Sequence, residues 1–363
     1  MRALAHFSSK PNETKITNVF TRAKCGNDSI FENAEHLARK IMLHVMQFRR
    51  IAGPKKSCAT SNCEACLKPH LSQVIAAIEK REPITFVLPA FPAKSPNPAK
   101  VLGTLPDMAE RLSLDFLNNL CKQIQKIYSP GAKVIICSDG RVFNDVLDIN
   151  DSDVTRYQQE LAFLLKQTAF VSATTFNLDE VYEGLTFDEM RHRLMEQFGE
   201  PLEIIRDSVR KGSKMPCSME DEEAHRHYCG MTRFLLEDAL RPDQTLSRTA
   251  LQKTCRHRAY VVIQRSRAWT ALIAEHFPNA VRLSIHPQTC GTPKLGIRLM
   301  EAESWMTPWH GVAVDVGGSF VLVKRAQAEQ LGARLVYNES RPSHYELMGK
   351  QNLSALQGIL YGT

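Results

Sequence analysis

The spacing of apolar positions along this chain of 363 residues alternates between the helical period and short continuous runs. The stretch "AEHLARKIMLHVMQFRRI" carries an apolar residue on every fourth position, which predicts an amphipathic helix. A second and longer helix is predicted just before the breaker cluster Ser129-Pro130-Gly131. Its apolar face repeats at spacings of three and four, at Met108, Leu112, Phe116, Leu120, Ile124 and Ile127.

Short apolar runs between these helical patterns predict strands. "PITFVL" and "AKVIICS" are rich in β-formers, and each is followed by a helical pattern, which is typical of a parallel sheet with right-handed crossovers. "ATTFNLDEVY", "AVRLSIHPQT" and "KLGIRLM" predict further strands, and "HGVAVDVGGSFVLVKR" predicts a hairpin that turns at Gly317-Gly318. We therefore predict an α/β fold, a Rossmann-like parallel or mixed sheet flanked by helices, with a C-terminal β-hairpin region.

The same patterns divide the chain into four parts. We expect residues 1–34 to form a mobile N-terminal segment. Residues 35–210 are expected to form the Rossmann-like core, with a Cys/His segment near its start. Residues 211–280 are expected to form a lid and helical insertion. The first part of this region, "KGSKMPCSMEDEEAHRHYCG", lacks clear periodicity, which indicates a loop. Residues 281–363 are expected to supply the strands and hairpin that complete the active site.

Composition and charge narrow the classes of protein. No apolar run approaches the roughly 18 residues that a membrane helix needs, and the first residues lack the apolar core of a secretory signal, so we expect a cytoplasmic protein without a membrane partner. The net charge of +7 is spread along the chain, so binding to nucleic acid is not expected. No P-loop, dinucleotide-binding glycine motif or nucleophile elbow is present.

Ionisable residues follow three of the predicted strands, and the proline-rich loop "LPAFPAKSPNP" holds one of them in a stiff backbone. Because the carboxyl ends of parallel strands meet at one edge of a sheet, we expect these residues to share a cleft. The alternative is that each loop exposes its charges to water. We predict catalytic roles for His286, His310, Asp139 and Lys94, and substrate-binding roles for Arg141, Lys294, Arg298, Asp145 and Trp309.

The residue types decide these roles. Ammonium and guanidinium groups bind phosphate or carboxylate, and a partly desolvated lysine can also act as a nucleophile. An imidazole in constrained surroundings can act as acid or base near neutral pH, and a carboxylate at a strand end can accept a proton.

A cysteine-rich segment is the most metal-like feature. Cys58, Cys63, Cys66 and His70 lie within thirteen residues and can form a tetrahedral structural zinc site. The spacing differs from that of a standard zinc finger, so buried or free thiols are the alternative. Such a zinc ion would stabilise the fold of the N-terminal region. An alternative function for the chain is that of a zinc-stabilised nucleic-acid-binding module.

Three long strings taken together resemble one protein family. "PITFVLPAFPAKSPNPAKVLGTLPDMAERLSL", "YSPGAKVIICSDGRVFNDVL" and "SIHPQTCGTPKLGIRL", the last followed by "WMTPWHGVAV", are similar to the isonitrile (isocyanide) synthases, also called pyoverdine/dityrosine biosynthesis proteins. The similarity extends from about residue 35 to residue 350.

The resemblance implies a condensation that needs no cofactor for catalysis. Members join the amino group of tyrosine or tryptophan to C2 of ribulose 5-phosphate, and the sugar then fragments and leaves that carbon as the isonitrile carbon. They act in secondary metabolism, beside an iron- and 2-oxoglutarate-dependent oxygenase that converts the product. Another sugar-phosphate condensing or cleaving enzyme is the alternative.

Overall fold

The computed structural model describes residues 33–52, 58, 62–168, 172–214, 216–301 and 306–347. The predicted N-terminal segment, residues 1–34, lies outside the described residues except for its last two. Helix α1 occupies residues 33–46. The next elements in chain order are α2 (Glu64–Lys80), β1 (Ile84–Pro89), α3 (Met108–Ile127), β2 (Ala132–Ser138), α4 (Gly140–Phe143) and α5 (Asp151–Gln167).

A run of helices separates the third strand from the fourth. These elements are β3 (Ala173–Asn177), α6 (Leu178–Val181), α7 (Phe187–Phe198), α8 (Leu202–Gly212), α9 (Met219–Ala239) and α10 (Arg248–His276). The C-terminal part contains β4 (Val281–Ser284), β5 (Leu295–Gly296), a 3₁₀ turn (Pro308–His310), β6 (Val312–Val316), β7 (Ser319–Val323), α11 (Arg325–Gln330), β8 (Arg334–Asn338) and β9 (Arg341–Glu346).

Five parallel strands form the central sheet in the order β3-β2-β1-β4-β5, which is the order of a Rossmann-type sheet. Alternate residues of β1 contribute to two apolar clusters on opposite faces, since Phe86 and Leu88 join one cluster and Val87 joins the other. The predicted α/β fold is therefore confirmed. In such a sheet the ligand crevice opens where the strand order reverses, between the carboxyl ends of β1 and β4.

A second sheet has four strands in the order β7-β6-β9-β8. The predicted hairpin is confirmed, because β6 and β7 pair in antiparallel fashion from Val312↔Val323 to Val316↔Ser319. Gly317 and Gly318 have φ values of 64° and 90°, and this left-handed backbone suits a tight hairpin turn.

Helix α3 has the predicted bounds, with a capping box between Asp107 and Glu110 at its start. The interpretation of residues 211–230 as a loop is wrong, because α9 is helical from Met219 onwards. Ala224, Tyr228 and Leu235 pack on one side of α9, and the charged residues between them hide this apolar face in the sequence. No helix among the described residues combines the length and the apolar character needed to cross a bilayer.

Gly140 lies where α4 meets the loop that follows β1. A Cβ atom at Gly140 would lie 1.9 Å from the carbonyl oxygen of Pro92 and 3.0 Å from Cγ1 of Val154. We expect Gly140→Ala to lower the free energy of unfolding by about 1–3 kcal/mol, because a packed backbone must move. Urea denaturation measures the loss, with Gly103→Ala as control, since a Cβ at Gly103 meets no atom within 4 Å. Equal losses in the two variants would contradict the clash.

Candidate active site

Imidazole and cationic side chains gather at the carboxyl edge of the central sheet, where the ligand crevice of such a sheet opens, and this region is called the cleft below. His286 follows β4, and its imidazole is close enough to His227 of α9, to His310 of the 3₁₀ turn and to Lys294 to be affected by their charges. Desolvation is the main cause that lowers the pKa of His286, and nearby cations such as Arg50 and Lys294 lower it further. The structure therefore brings together His286, His310 and Lys294, three of the predicted site residues.

His227 and His286 line this cleft. Both side chains are accessible to solvent, yet enough protein surrounds each imidazole for desolvation to lower its pKa. A side chain that solvent can reach although protein surrounds it on most sides is typical of the wall of a cleft. Both imidazoles are therefore neutral near pH 7 and can accept a proton from a bound substrate.

Lys294 lies in the cationic part of the cleft. Desolvation lowers the pKa of its ammonium group, and the nearby charges of Arg282 and Arg267 lower it further, while Glu223 acts in the opposite direction. Arg267 is also paired with Glu200, at 2.5 Å, so this wall combines cations with carboxylates and leaves Lys294 without an ion-pair partner among the described residues. Such a wall favours a phosphate ester or a carboxylate as ligand.

Asp139 lies directly after β2, at the N-terminal end of α4. Desolvation raises the pKa of its carboxyl group to about 7, although Arg282 acts to lower it. Its Oδ1 atom is buried and has no hydrogen-bond partner within the described residues. A carboxyl group that titrates near neutral pH and has an unused acceptor is suited to acid–base catalysis.

His310 is held by a buried carboxylate. Its Nε2 atom lies 3.6 Å from Oδ2 of Asp238, and its Nδ1 atom lies 2.8 Å from the Thr307 hydroxyl. Oδ1 of Asp238 accepts hydrogen bonds from Lys100 at 2.6 Å and from Ser95 at 2.7 Å. Desolvation alone would raise the pKa of Asp238, but His310 and Lys100 outweigh it and hold the pKa well below its usual range. The charged Asp238 carboxylate therefore orients the imidazole.

Lys94 is buried beneath the cleft, in a cluster of opposite charges. Its ammonium group lies 2.7 Å from Glu110 and 2.9 Å from Asp107, and it donates to the carbonyl oxygen of Pro308 at 3.0 Å. These three partners match its three N–H groups. Trp309, next to Pro308, is also buried. The roles of Lys94 and Trp309 in catalysis and substrate binding stay predictions, and the contacts favour positioning of the 3₁₀ turn that carries His310.

Arg141 and Asp145, in and just after α4, are held by ion pairs within the protein. The buried guanidinium of Arg141 lies 2.8 Å from Asp151 and 3.3 Å from Asp179. Both carboxylate oxygens of Asp145 accept from Arg265, at 2.5 and 3.0 Å. These ion pairs explain why each charge is tolerated there. Their predicted roles in substrate binding stay predictions.

Arg298 lies in a small concavity next to the cleft. Arg50, Ile285 and Thr307 line the same concavity, and the Arg298 guanidinium lies 5.2 Å from the ring centroid of Phe48. Its buried Nε atom has no hydrogen-bond partner within the described residues. The predicted role of Arg298 in substrate binding stays a prediction.

The predicted metal ligands are only partly together. Cys58, Cys63 and Cys66 have their sulfur atoms close to one another, and the fourth member of the group is Cys290, from the loop between β4 and β5. His70 is buried but is not a member of this group, so the ligand set that includes His70 is wrong in its fourth residue. The reason is that the fold brings a distant loop, invisible in local spacing, against the start of α2.

Sequence reasoning missed His227, Arg282 and Asp238. One of them had a usable signal: β4 alternates buried Val281 and Leu283 with the opposite face, which assigns Arg282 to that face. His227 belongs to α9, whose apolar face is interrupted by charged residues in the sequence and gave no usable signal. No local pattern marks Asp238, because its partner His310 lies far along the chain.

Comparison with known proteins places this cleft in context. The model of the pyoverdine/dityrosine biosynthesis protein family matches residues 74–336. An L-tryptophan isonitrile synthase from Fischerella ambigua is 45% identical over 315 residues, which cover 86% of this chain and 95% of the relative. An L-tyrosine isonitrile synthase from Pseudomonas aeruginosa is 49% identical over 282 residues, which cover 76% of this chain and 83% of the relative.

A solved structure has a similar fold. The crystal structure of the PvcA protein from Pseudomonas aeruginosa aligns with a TM-score of 0.79 and 44% sequence identity. The alignment covers 86% of this chain and 100% of that chain. The two chains therefore share their fold over most of their length.

Proposed function

The chain belongs to the pyoverdine/dityrosine biosynthesis protein family, and from this premise we propose that it is an isonitrile synthase that acts on an aromatic L-amino acid. The observation that carries the proposal is 43–49% identity, over most of the chain, to L-tryptophan and L-tyrosine isonitrile synthases. The cleft at the carboxyl edge of the sheet supports it, because cationic and proton-transferring groups converge there.

The carbon donor in this proposal is ribulose 5-phosphate. Lys294, Arg282 and Arg267 supply the positive charge that a phosphate ester needs, and the Nε atom of Arg298 is a further donor for an anionic oxygen. The substrate amino acid also has a carboxylate to neutralise.

Proton transfers are assigned to Asp139, His286 and His310. Condensation of the amino group with the C2 carbonyl needs a base to take a proton from nitrogen and an acid to release water. Both carbon–carbon bonds at C2 must then break: one electron pair leaves with a sugar carbon that is then protonated, and the other pair stays on C2 while the departing hydroxyl-bearing carbon becomes an aldehyde. The cations of the cleft stabilise the negative charge that develops. None of these steps adds or removes electrons from outside, so the proposed reaction needs no redox cofactor.

An isotope experiment tests the proposal directly. The protein is incubated with ribulose 5-phosphate labelled with ¹³C at C2, and with tyrosine and tryptophan in separate reactions. We expect a labelled isonitrile product by mass spectrometry with at least one of the two amino acids. Sugar cleavage without incorporation of the label would instead favour another sugar-phosphate enzyme. We also propose that an iron- and 2-oxoglutarate-dependent oxygenase consumes the isonitrile.

Replacement of Lys294 tests the phosphate site. We expect Lys294→Ala to raise the KM for ribulose 5-phosphate by about 10-fold to 100-fold, because the variant loses a hydrogen bond to a charged group. The effect on kcat should be smaller. Steady-state kinetics with each substrate varied in turn measure the change. Lys133→Ala is the control, because Lys133 is exposed near the start of β2, at the opposite edge of the sheet. A rise confined to the KM for the amino acid would contradict the assignment to phosphate.

A further inference from the structure

Four cysteine thiols converge beside the loop that carries His286 and Lys294. The Sγ atoms of Cys58, Cys63, Cys66 and Cys290 all lie within 4.8 Å of one another. The closest pairs are Cys66–Cys290 at 3.4 Å, Cys58–Cys63 at 3.6 Å and Cys63–Cys290 at 3.7 Å. The chemistry proposed for the cleft uses none of these sulfur atoms, so the group needs a separate explanation.

We propose that the four thiols bind one structural Zn²⁺ ion. A zinc–thiolate bond is about 2.3 Å long, and a tetrahedral ion with such bonds holds its sulfur atoms about 3.8 Å apart. The observed separations are close to that value. A disulfide would need two sulfur atoms about 2.05 Å apart, and the structure has all four cysteines as free thiols.

The local backbone suits this metal site. Cys63 is the N-cap of α2, and Cys66 lies in its first turn, where the helix dipole stabilises negatively charged thiolates. Gly291 directly follows Cys290 and has a φ of 83°, a left-handed conformation that glycine adopts without strain. This turn brings the loop close to Ala65 of α2, because a Cβ at Gly291 would lie 3.6 Å from the Ala65 carbonyl oxygen.

Burial and charge indicate a structural ion. Cys58, Cys63 and Cys66 are buried, and four protein ligands fill a tetrahedral shell and leave no open position for substrate. Zn²⁺ with four thiolates has a net charge of −2, part of which a neighbouring cation can offset. The guanidinium of Arg49 donates to the carbonyl oxygen of Cys58, which places a positive charge next to the ligands.

The ion would position the substrate loop. Cys290 lies between His286 and Lys294, so a bond from its sulfur to the metal ties their loop to α2. The other side of the loop is already bound to the segment after α1, where the backbone of Arg50 pairs with Gly296 at 2.8 Å and with Gln288 at 3.1 Å. Two attachments fix the loop more firmly than one.

Metal analysis of the full chain tests the proposal. The protein is purified under reducing conditions from cells supplied with zinc, and zinc and iron are measured by inductively coupled plasma mass spectrometry. We expect about one zinc per chain in the wild type, less than a fifth of that in Cys290→Ser, and retention of zinc in Cys290→His, which keeps a ligand atom. Cys121→Ser is the control and should keep its zinc, because Cys121 is buried on α3 outside the group.

Two further measurements use the wild type, so they test the proposal even if the cysteine variants do not fold. Replacement of zinc by Co²⁺ in the wild type should give the intense visible absorption of a tetrahedral thiolate complex. Hydrogen–deuterium exchange of residues 285–294 should become faster when a chelator removes the metal. Less than a tenth of a zinc per chain in the reduced wild type, stoichiometric iron in place of zinc, a disulfide among the four cysteines, or full zinc in Cys290→Ser would each overturn the proposal.

Discussion

Replacement of Asp139 by asparagine is expected to lower kcat by about 10²-fold to 10⁴-fold, the usual contribution of a general acid or base. The pKa of Asp139 is raised to about 7, chiefly by desolvation. If its carboxylate is the base that takes a proton from the substrate, kcat of the wild type rises as the pH passes through about 7. In Asp139→Asn this dependence should disappear. The pH profile of kcat for both proteins measures it.

The same variant should be more stable than the wild type at high pH. Because the pKa of Asp139 is raised in the folded protein, the ionised carboxylate costs stability above pH 7, and protonation removes this cost as the pH falls. The free energy of unfolding of Asp139→Asn should therefore exceed that of the wild type at pH 8, and the difference should vanish near pH 4. An asparagine variant with unchanged kcat and an unchanged pH profile would contradict the catalytic role.

Replacement of Lys94 by alanine is expected to lower the free energy of unfolding by about 3–5 kcal/mol, the cost of leaving buried charges without their partner. Lys94 pairs with Asp107 and Glu110 in a site closed to solvent. Desolvation raises the pKa of Glu110 to about 7 even beside Lys94, so without that ammonium its ionised form becomes still less favourable. The loss should therefore be larger at pH 8 than at pH 5. Urea denaturation at both pH values measures it.

A double variant and a surface variant provide the controls for Lys94. Lys94→Ala combined with Glu110→Gln removes one buried charge of each sign and should recover part of the lost stability. Lys122→Ala on the exposed side of α3 should change the free energy of unfolding by less than about 0.5 kcal/mol. Unchanged stability of Lys94→Ala with a raised KM for ribulose 5-phosphate would instead place Lys94 in direct contact with substrate.

Local patterns in the sequence predicted the elements whose burial is periodic. Helix α3 has the predicted bounds because one face is continuously apolar and Ser129-Pro130-Gly131 cannot continue the helix. The strands β1 and β2 are short and apolar because both faces of the sheet are covered by helices. Helix α9 was missed because charged side chains interrupt its narrow apolar face.

Contacts between distant residues explain what sequence reasoning could not predict. A lysine in a proline-rich loop has the same local sequence whether it faces solvent or pairs with Asp107 and Glu110, so the burial of Lys94 has no local signal. His70 was the nearest available ligand to the three cysteines, whereas Cys290 reaches them only through the fold. The position of His286 was predictable because it follows the carboxyl end of β4, where residues after parallel strands converge, whereas Lys294 directly precedes β5 and reaches the cleft through the loop between them.

The short backbone pairing between residues 50–52 and the loop after β4 limits how far this chain can be shortened at its N-terminal side. Ala52 donates to the Gln288 carbonyl at 3.1 Å, and Arg298 donates to that of Phe48 at 3.0 Å, although the family match begins only at residue 74. A chain that began at residue 74 would keep every strand of the central sheet. It would lose the backbone hydrogen bonds that residues 48–52 make with the loop after β4 and with Arg298. The segment that the family model matches is thus smaller than the smallest unit expected to work as an enzyme.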